Sequence, residues 1–354
     1  MSEFVSIARA RIGVGEPAFV IAEAGVNHNG DLELAHKMID VAAEAGADAI
    51  KFQTFDPESL AAPAAPKAKY QVKNTGEDGS QLEMLRKLVL PRSSYPELIR
   101  HAEEKGLIFM STPFDQASAD FLDSLGIAAF KISSGDLTNH PLLLHIAKAG
   151  RPMLISTGMA SLESVEAAVS ALRSVGMPPL VLFHCVTSYP ARAADCNLRA
   201  IETLRSRFGV PVGWSDHTEG FDISVAAVAL GANSVEKHFT LDRNLPGPDH
   251  AASLEPAELV AMVKAIRRVE SALGSGIKQA TEAEVAIAPA AYRSLFWNKD
   301  MRSGTIVTAE DLIALRPGTG ISPSKLQLYV GRQVARNARK GEILEDADLV
   351  SAGE

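Results

Sequence analysis

Cysteine is scarce. The 354 residues hold only Cys185 and Cys196, at neither a metal-type nor a redox spacing. A reducing, cytoplasmic setting is therefore expected. Positive charge is also short, since the formal net charge is -8. That argues against a nucleic-acid partner, which normally meets a basic face. It does not exclude small anionic substrates, which need only a local basic pocket. No apolar run is long enough to span a membrane. Met1-Ser2-Glu3 lacks a basic region followed by an apolar one, so no signal peptide is expected. What remains is the composition of a soluble globular protein, 46% apolar and 22% charged. Its length suits a large domain plus a small one.

One unit recurs along the chain. Apolar strand-like runs end in polar residues, and an amphipathic helical pattern follows each. The first run is Phe19–Gly25, interrupted by Glu23. Val26-Asn-His-Asn-Gly30 is turn chemistry, and Asp31 caps the helix that follows. Further runs begin at Ala47, Leu107, Ala128, Pro152, Leu180, Val210 and Asn233, which makes eight. Eight strand-plus-helix units in about 275 residues are the size and order of a (β/α)8 TIM barrel. An insert from Asp56 to Leu90, polar at Lys73–Ser80, reads as a loop over the barrel mouth.

Residues 1–276 thus form the expected catalytic barrel, 277–289 a linker and 290–354 a small β-rich domain. The tail repeats itself. Met301-Arg-Ser-Gly-Thr-Ile-Val-Thr-Ala-Glu-Asp-Leu312 aligns without gaps on Ala338-Arg-Lys-Gly-Glu-Ile-Leu-Glu-Asp-Ala-Asp-Leu349. Between the copies, Arg316-Pro-Gly-Thr-Gly320 presents one arginine on a rigid loop.

Charge inside a strand is costly unless paired or used. The last run carries Glu236, Lys237 and His238, and the one before it ends in Ser215, Asp216 and His217. Two histidines ending consecutive strands can share a divalent metal; the bland alternative is two satisfied core histidines. Lys51, Lys131 and Lys237 also sit near strand ends. They either grip an anion, form a Schiff base, or make internal ion pairs, such as Lys237 with Glu236 or Glu23. Thr112, Ser133, Ser134, Ser156, Thr157 and Ser215 place hydroxyls at the same level, several beside glycine, which suits phosphate. Glu23, Asp136 and Asp249 are candidates for proton transfer or hydroxyl binding. Tyr189-Pro190 closes the pocket.

These residues resemble the sialic acid (nonulosonate) synthases, which condense phosphoenolpyruvate with a hexosamine. The motifs are Ile21-Ala-Glu-Ala-Gly-Val-Asn-His-Asn-Gly30, Lys51-Phe-Gln-Thr54, Ser111-Thr-Pro-Phe114, Lys131-Ile-Ser-Ser-Gly135, Ser156-Thr-Gly-Met159, Ser215-Asp-His217, Glu236-Lys-His-Phe-Thr240 and Pro246-Gly-Pro-Asp249. The tail looks like their antifreeze-like (SAF) domain, with Arg316 in place. The resemblance implies a divalent metal, usually Mn2+ with Mg2+ or Co2+ as alternatives, on His217 and His238. It implies phosphoenolpyruvate on Lys51, Thr112, Lys131, Ser134, Ser156 and Ser215, with Thr187 beside the phosphate. It puts the sugar on Gln53, Tyr189, Asp249 and Arg316, with Arg316 given by the partner in a domain-swapped homodimer. Glu23 and Asp136 match acids implicated in proton transfer. Threonine at 187 and aspartate at 136 depart from common family choices and leave the sugar open. N-Acetylneuraminate synthesis from N-acetylmannosamine is the first expectation. Legionaminic acid synthesis from a diacetamido hexose is the alternative, and a Schiff-base aldolase is the rival chemistry. A free sugar is expected over its 6-phosphate, for which Lys67, Lys69 and Lys73 are the spare cations. A carbohydrate- or ice-binding protein, argued from the tail alone, leaves the barrel's polar strand ends unexplained.

Overall fold

The computed structural model describes residues 4–76 and 79–350. The start of the chain, read above for a signal peptide, and residues 77–78 of the polar stretch Lys73–Ser80 lie outside the described residues. The chain forms two units, Met1–Gly274 and Ser275–Glu354.

The first unit opens with an antiparallel pair, β1 (Phe4–Ile7) and β2 (Ala10–Gly13). Eight parallel strands follow: β3 (Phe19–Gly25), β4 (Ala49–Thr54), β5 (Ile108–Pro113), β6 (Phe130–Ile132), β7 (Met153–Ser156), β8 (Leu180–Cys185), β9 (Val212–Asp216) and β10 (Ser234–His238). They close into a barrel as β10 pairs with β3. A helix follows each strand, from Leu32–Glu44 after β3 to Pro256–Leu273 after β10. The first shows how local chemistry starts them: Asp31 accepts from the Glu33 and Leu34 N–H groups, while Ala35, Met38, Ile39 and Ala42 form its buried face.

The period-2 alternation of the strands sorts the barrel by height. Outward residues such as Val20, Ile50, Phe130, Ile155 and Trp214 pack under the helices. Inward residues at the lower end, including Phe19, Ile21, Met110, Leu154 and Phe183, form a separate apolar plug. Gly213 is required there, because a Cβ would strike the Phe183 ring at 2.7 Å. The same inward rows turn polar one step higher, at Glu23, Lys51, Thr112, Lys131 and Ser156. The sequence reading missed the β1–β2 pair. Its Val5, Ile7 and Ile12 pack on the plug and close the lower end of the barrel. The insert after β4 is not a plain loop either. It carries three short helices, Pro57–Leu60, Lys69–Thr75 and Gln81–Arg86.

In the second unit, the stretch read as a linker contains helix Glu282–Ala291, whose side chains face mostly solvent. Thr281 caps it, accepting from the Glu284 N–H. Beyond it, β11 (Ser294–Trp297) pairs antiparallel with β12 (Leu312–Leu315) around a core of Leu295, Trp297, Val307, Leu344 and Leu349. The sequence repeat is physical. Asp311 accepts from the Thr308 N–H at 2.8 Å, and Asp348 from the Glu345 N–H at 2.9 Å. Each buried aspartate also meets a cation, Lys299 at 2.5 Å and Arg336 respectively.

Candidate active site

β10 shows how the site is built. Alternation turns Glu236 and His238 into the barrel, where both line one cavity at the C-terminal mouth. Lys237 between them points the other way. It lies 3.3 Å from Asp216 Oδ2 and donates to the Thr218 carbonyl. Asp216 also accepts from the Thr218 N–H at 2.8 Å and from Ser224 Oγ at 2.6 Å. Lys237 is therefore neither an anion grip nor a Schiff-base candidate, and its partner is neither Glu236 nor Glu23. It is a buried structural ion pair.

Two lysines and two carboxylates make the floor. Lys51 Nζ is 2.9 Å from Glu23 Oε2 and 3.9 Å from Glu236 Oε2, and it donates to Thr112 Oγ1 at 3.0 Å. Lys131 Nζ donates to Ser156 Oγ at 2.6 Å and lies 3.6 Å from Glu236 Oε1. Ser215 Oγ donates to Glu236 at 3.2 Å, and Gln53 Nε2 to Glu23 at 3.3 Å. Burial works against every charge here. At Lys51 the two carboxylates outweigh it and hold the ammonium above its ordinary value. At Lys131 burial wins and the lysine is lowered. At Glu236 burial is overcome by Lys131 and Lys51, which keep it ionised. Burial pushes Glu23 up to about 7, against Lys51 and with the repulsion of Glu236. Glu23 can thus hold or release a proton near neutrality.

The rim carries the two imidazoles. His217 and His238 have ring centroids 5.5 Å apart. His217 Nδ1 meets the Val186 carbonyl at 2.8 Å, which puts its proton there and leaves Nε2 as the lone-pair nitrogen. His238 Nδ1 is buried without a hydrogen-bond partner. Burial, then the charges of His217 and Lys51, hold His238 well below its ordinary value, so it is neutral. At His217 burial is outweighed by Cys185, 3.7 Å away, and the ring is held above its ordinary value. Among the described residues no group of three or more His, Cys, Asp or Glu side chains gathers for a metal. His217 and His238 are the two imidazoles that line the cavity, and they are the side chains that could hold a divalent ion there.

On the far side, Ser134 Oγ accepts from the Gly158 N–H at 3.0 Å. Gly158 must be glycine, since a Cβ would overlap Thr187 Oγ1 and Ser134 Oγ. Thr187, Tyr189 and Cys185 complete that wall. Asp249 is buried on the loop after β10, where burial, eased by the charge of His217, pushes it up to about 6. Asp136 lies at the rim, one residue past lining residue Gly135. Its carboxylate accepts from Asn139 at 3.1 Å, and burial raises it. Arg316 belongs to the second unit, where its Nε donates to the Ala291 carbonyl at 3.0 Å and its side chain is exposed. Thirteen of the expected residues, Ser133 among them, therefore share one cavity. Glu236 was missed as a site member, although it has the same strand parity as His238. Tyr70, stacked on Tyr189, was missed outright.

A closed parallel barrel with a lysine–carboxylate floor and a two-imidazole rim has the build of a barrel enzyme. The NeuB family model matches residues 38–278, and the SAF domain model matches residues 292–350. The chain belongs to the NeuB family, and the expected SAF tail is present. It is 45% identical to an N,N'-diacetyllegionaminic acid synthase of Campylobacter jejuni, over 92% of this chain and 98% of that one. It is 39% identical to the human N-acetylneuraminate-9-phosphate synthase, over 91% and 90%. The structure of the sialic acid synthetase of Leptospira borgpetersenii, solved with citrate, superposes with a TM-score of 0.71 at 37% identity, over 81% of this chain and 95% of that one.

Proposed function

We propose that this synthase condenses phosphoenolpyruvate with a neutral diacetamido hexose to give a legionaminic-type nonulosonic acid. The observation that carries the chemistry is the floor: Lys51 and Lys131, each bonded to a hydroxyl, beneath two facing imidazoles. The 45% identity to a diacetyllegionaminic acid synthase favours that sugar over N-acetylmannosamine, the first expectation.

Lys51 and Lys131, with Thr112, Ser134, Ser156 and Ser215, hold the phosphate and carboxylate of phosphoenolpyruvate, and Thr187 borders the phosphate. Gln53, Tyr189 and Asp249 hold the sugar, and Arg316 reaches it from a partner subunit. Fixing both reactants makes the encounter effectively intramolecular. The enol carbon bonds to the aldehyde carbon, water adds at C2, and the C–O bond to phosphate breaks. The two protons of that water end on the new hydroxyl and on phosphate. Glu23, pushed up to about 7, and Asp136, also raised, are the groups placed to move them. His217 and His238 would hold a divalent cation, which when bound would supply Lewis acidity toward the aldehyde oxygen.

The test is phosphate release from phosphoenolpyruvate over a panel of free and phosphorylated hexosamines. Preference for the diacetamido hexose supports the reading, and no release with any hexosamine refutes it. His217→Ala or His238→Ala should lose Mn2+ binding by calorimetry together with activity. Full turnover by either variant in chelator would overturn the metal assignment. A Schiff-base aldolase on Lys131 is the second reading, favoured by the lowering of that buried amine. Borohydride trapping of a covalent adduct would select it.

A further inference from the structure

Tyr189 lines the cavity, and the ring stacked behind it comes from the insert. The Tyr70 ring stacks on Tyr189 with centroids 4.9 Å apart and planes at 27°. Tyr189 in turn lies 4.2 Å from the His217 ring. The three rings form a column that runs outward from the reacting centre. Tyr70 stands on helix Lys69–Thr75. That helix is tied to the loop after β10, since Asn74 Nδ2 donates to the Pro248 carbonyl at 2.6 Å, one residue before Asp249.

The helix has two unlike sides. Lys69 and Lys73, four apart, are exposed, while Tyr70, Gln71 and Asn74 are turned into the protein. Burial first, and then the charge of nearby Asp249, raises the Tyr70 phenol above its ordinary value, so the ring stays neutral. The face this helix turns toward the sugar region is therefore aromatic and amide, beside a carboxylate. Its lysines are exposed.

We propose that Tyr70 is a specificity-determining residue. With Tyr189 it forms the wall against the distal end of the hexosamine, and it selects a neutral, acylamino-bearing sugar over a phosphorylated one. An acyl methyl gains area and ring contact on an aromatic face. A phosphate dianion there meets the Asp249 carboxylate, which is how a site rejects a near analogue. The inference rests on the reading of this cavity as a hexosamine-condensing site.

The experiment compares wild type, Tyr70→Phe and Tyr70→Ala in steady state. The substrates are phosphoenolpyruvate with the diacetamido hexose, with N-acetylmannosamine, and with N-acetylmannosamine 6-phosphate. Saturation-transfer NMR follows binding of the diacetamido hexose to each protein. Tyr70→Ala should raise KM for the neutral sugars about tenfold and leave KM for phosphoenolpyruvate unmoved. Its preference for N-acetylmannosamine over the 6-phosphate should fall. Tyr70→Phe keeps the stack and should restore wild-type KM. An unchanged sugar KM in Tyr70→Ala, an equal rise in both KM values, or a wild-type preference for the 6-phosphate would overturn the inference. If Tyr70→Ala matches wild type while phosphate is released, the inference falls and the proposed function stands. If the sugar binds in a Tyr70-dependent way without phosphate release, the reverse holds. If it neither binds nor turns over, both fall.

Discussion

At the scale of single residues, neighbours in sequence carry opposite jobs. Glu236 and Lys237 are adjacent and both buried, yet one bridges two lysines in the cavity and the other pairs with Asp216 outside it. Removing one member of a buried pair leaves an uncompensated charge, at a cost of roughly 3–5 kcal/mol. Lys237→Met should therefore melt earlier, with turnover of the folded fraction near wild type. Loss of turnover at an unchanged melting temperature would give Lys237 a chemical role instead. His28 shows burial outweighing the charge of nearby Asp31. Its imidazole is 1% exposed, and burial pushes it down to about 4. Its folded value lies below its ordinary 6.5, so the unfolded chain binds more protons between those two values. Its stabilising contribution is complete above about pH 6.5 and is lost as pH falls toward about 4; the full effect is on the order of 3 kcal/mol. His28→Asn should narrow the gap between melting temperatures measured at neutrality and near pH 4.5. An unchanged gap would assign the acid sensitivity to other groups.

At the scale of elements, legibility followed distance along the chain. Each barrel strand announces itself within seven residues, as an apolar run that turns polar where the inward row reaches the mouth. The polar strand ends were therefore readable one strand at a time, and most of the cavity with them. The β1–β2 pair was not. Four-residue strands around a turn have too few repeats to show a period, and their burial depends on a plug assembled from the barrel strands. Tyr70 was hidden for a similar reason. Nothing near residue 70 signals that its ring will meet Tyr189, because that contact exists only once the insert helix has docked. The hairpin makes a prediction of its own. Ile12 is fully buried against the plug, at the end opposite the chemistry. Ile12→Ala should cost about 2–5 kcal/mol of stability and leave KM for both substrates unchanged. A shift in either KM without a loss of stability would mean that the hairpin couples to the mouth.

At the scale of the whole molecule, the two units are joined by a tether whose length decides what Arg316 can serve. Read as fully extended, Ile277–Pro289 would span roughly 43–47 Å. The structure places helix Glu282–Ala291 across most of it. With a rise of about 1.5 Å per residue in the helix, and an extended lead from Ser275, the reach from Gly274 to Tyr292 is still roughly 40 Å. Val285, Ile287 and Tyr292 leave more than half of their surface exposed along and just beyond the helix, and its end is tied to the Arg316 loop, since the Gly318 N–H donates to the Pro289 carbonyl at 2.7 Å. Under the proposed exchange, each tail serves the barrel of a partner in a closed, isologous dimer. Arg316→Ala and His238→Ala subunits are each expected to be inactive alone. In a heterodimer, one site combines an intact barrel with an intact tail, and the other collects both lesions. Random reassortment should therefore restore up to about a quarter of wild-type activity, read as phosphate release after subunit exchange confirmed by mass spectrometry. If verified heterodimers stay inactive while both parents fold and dimerise, Arg316 does not act in trans.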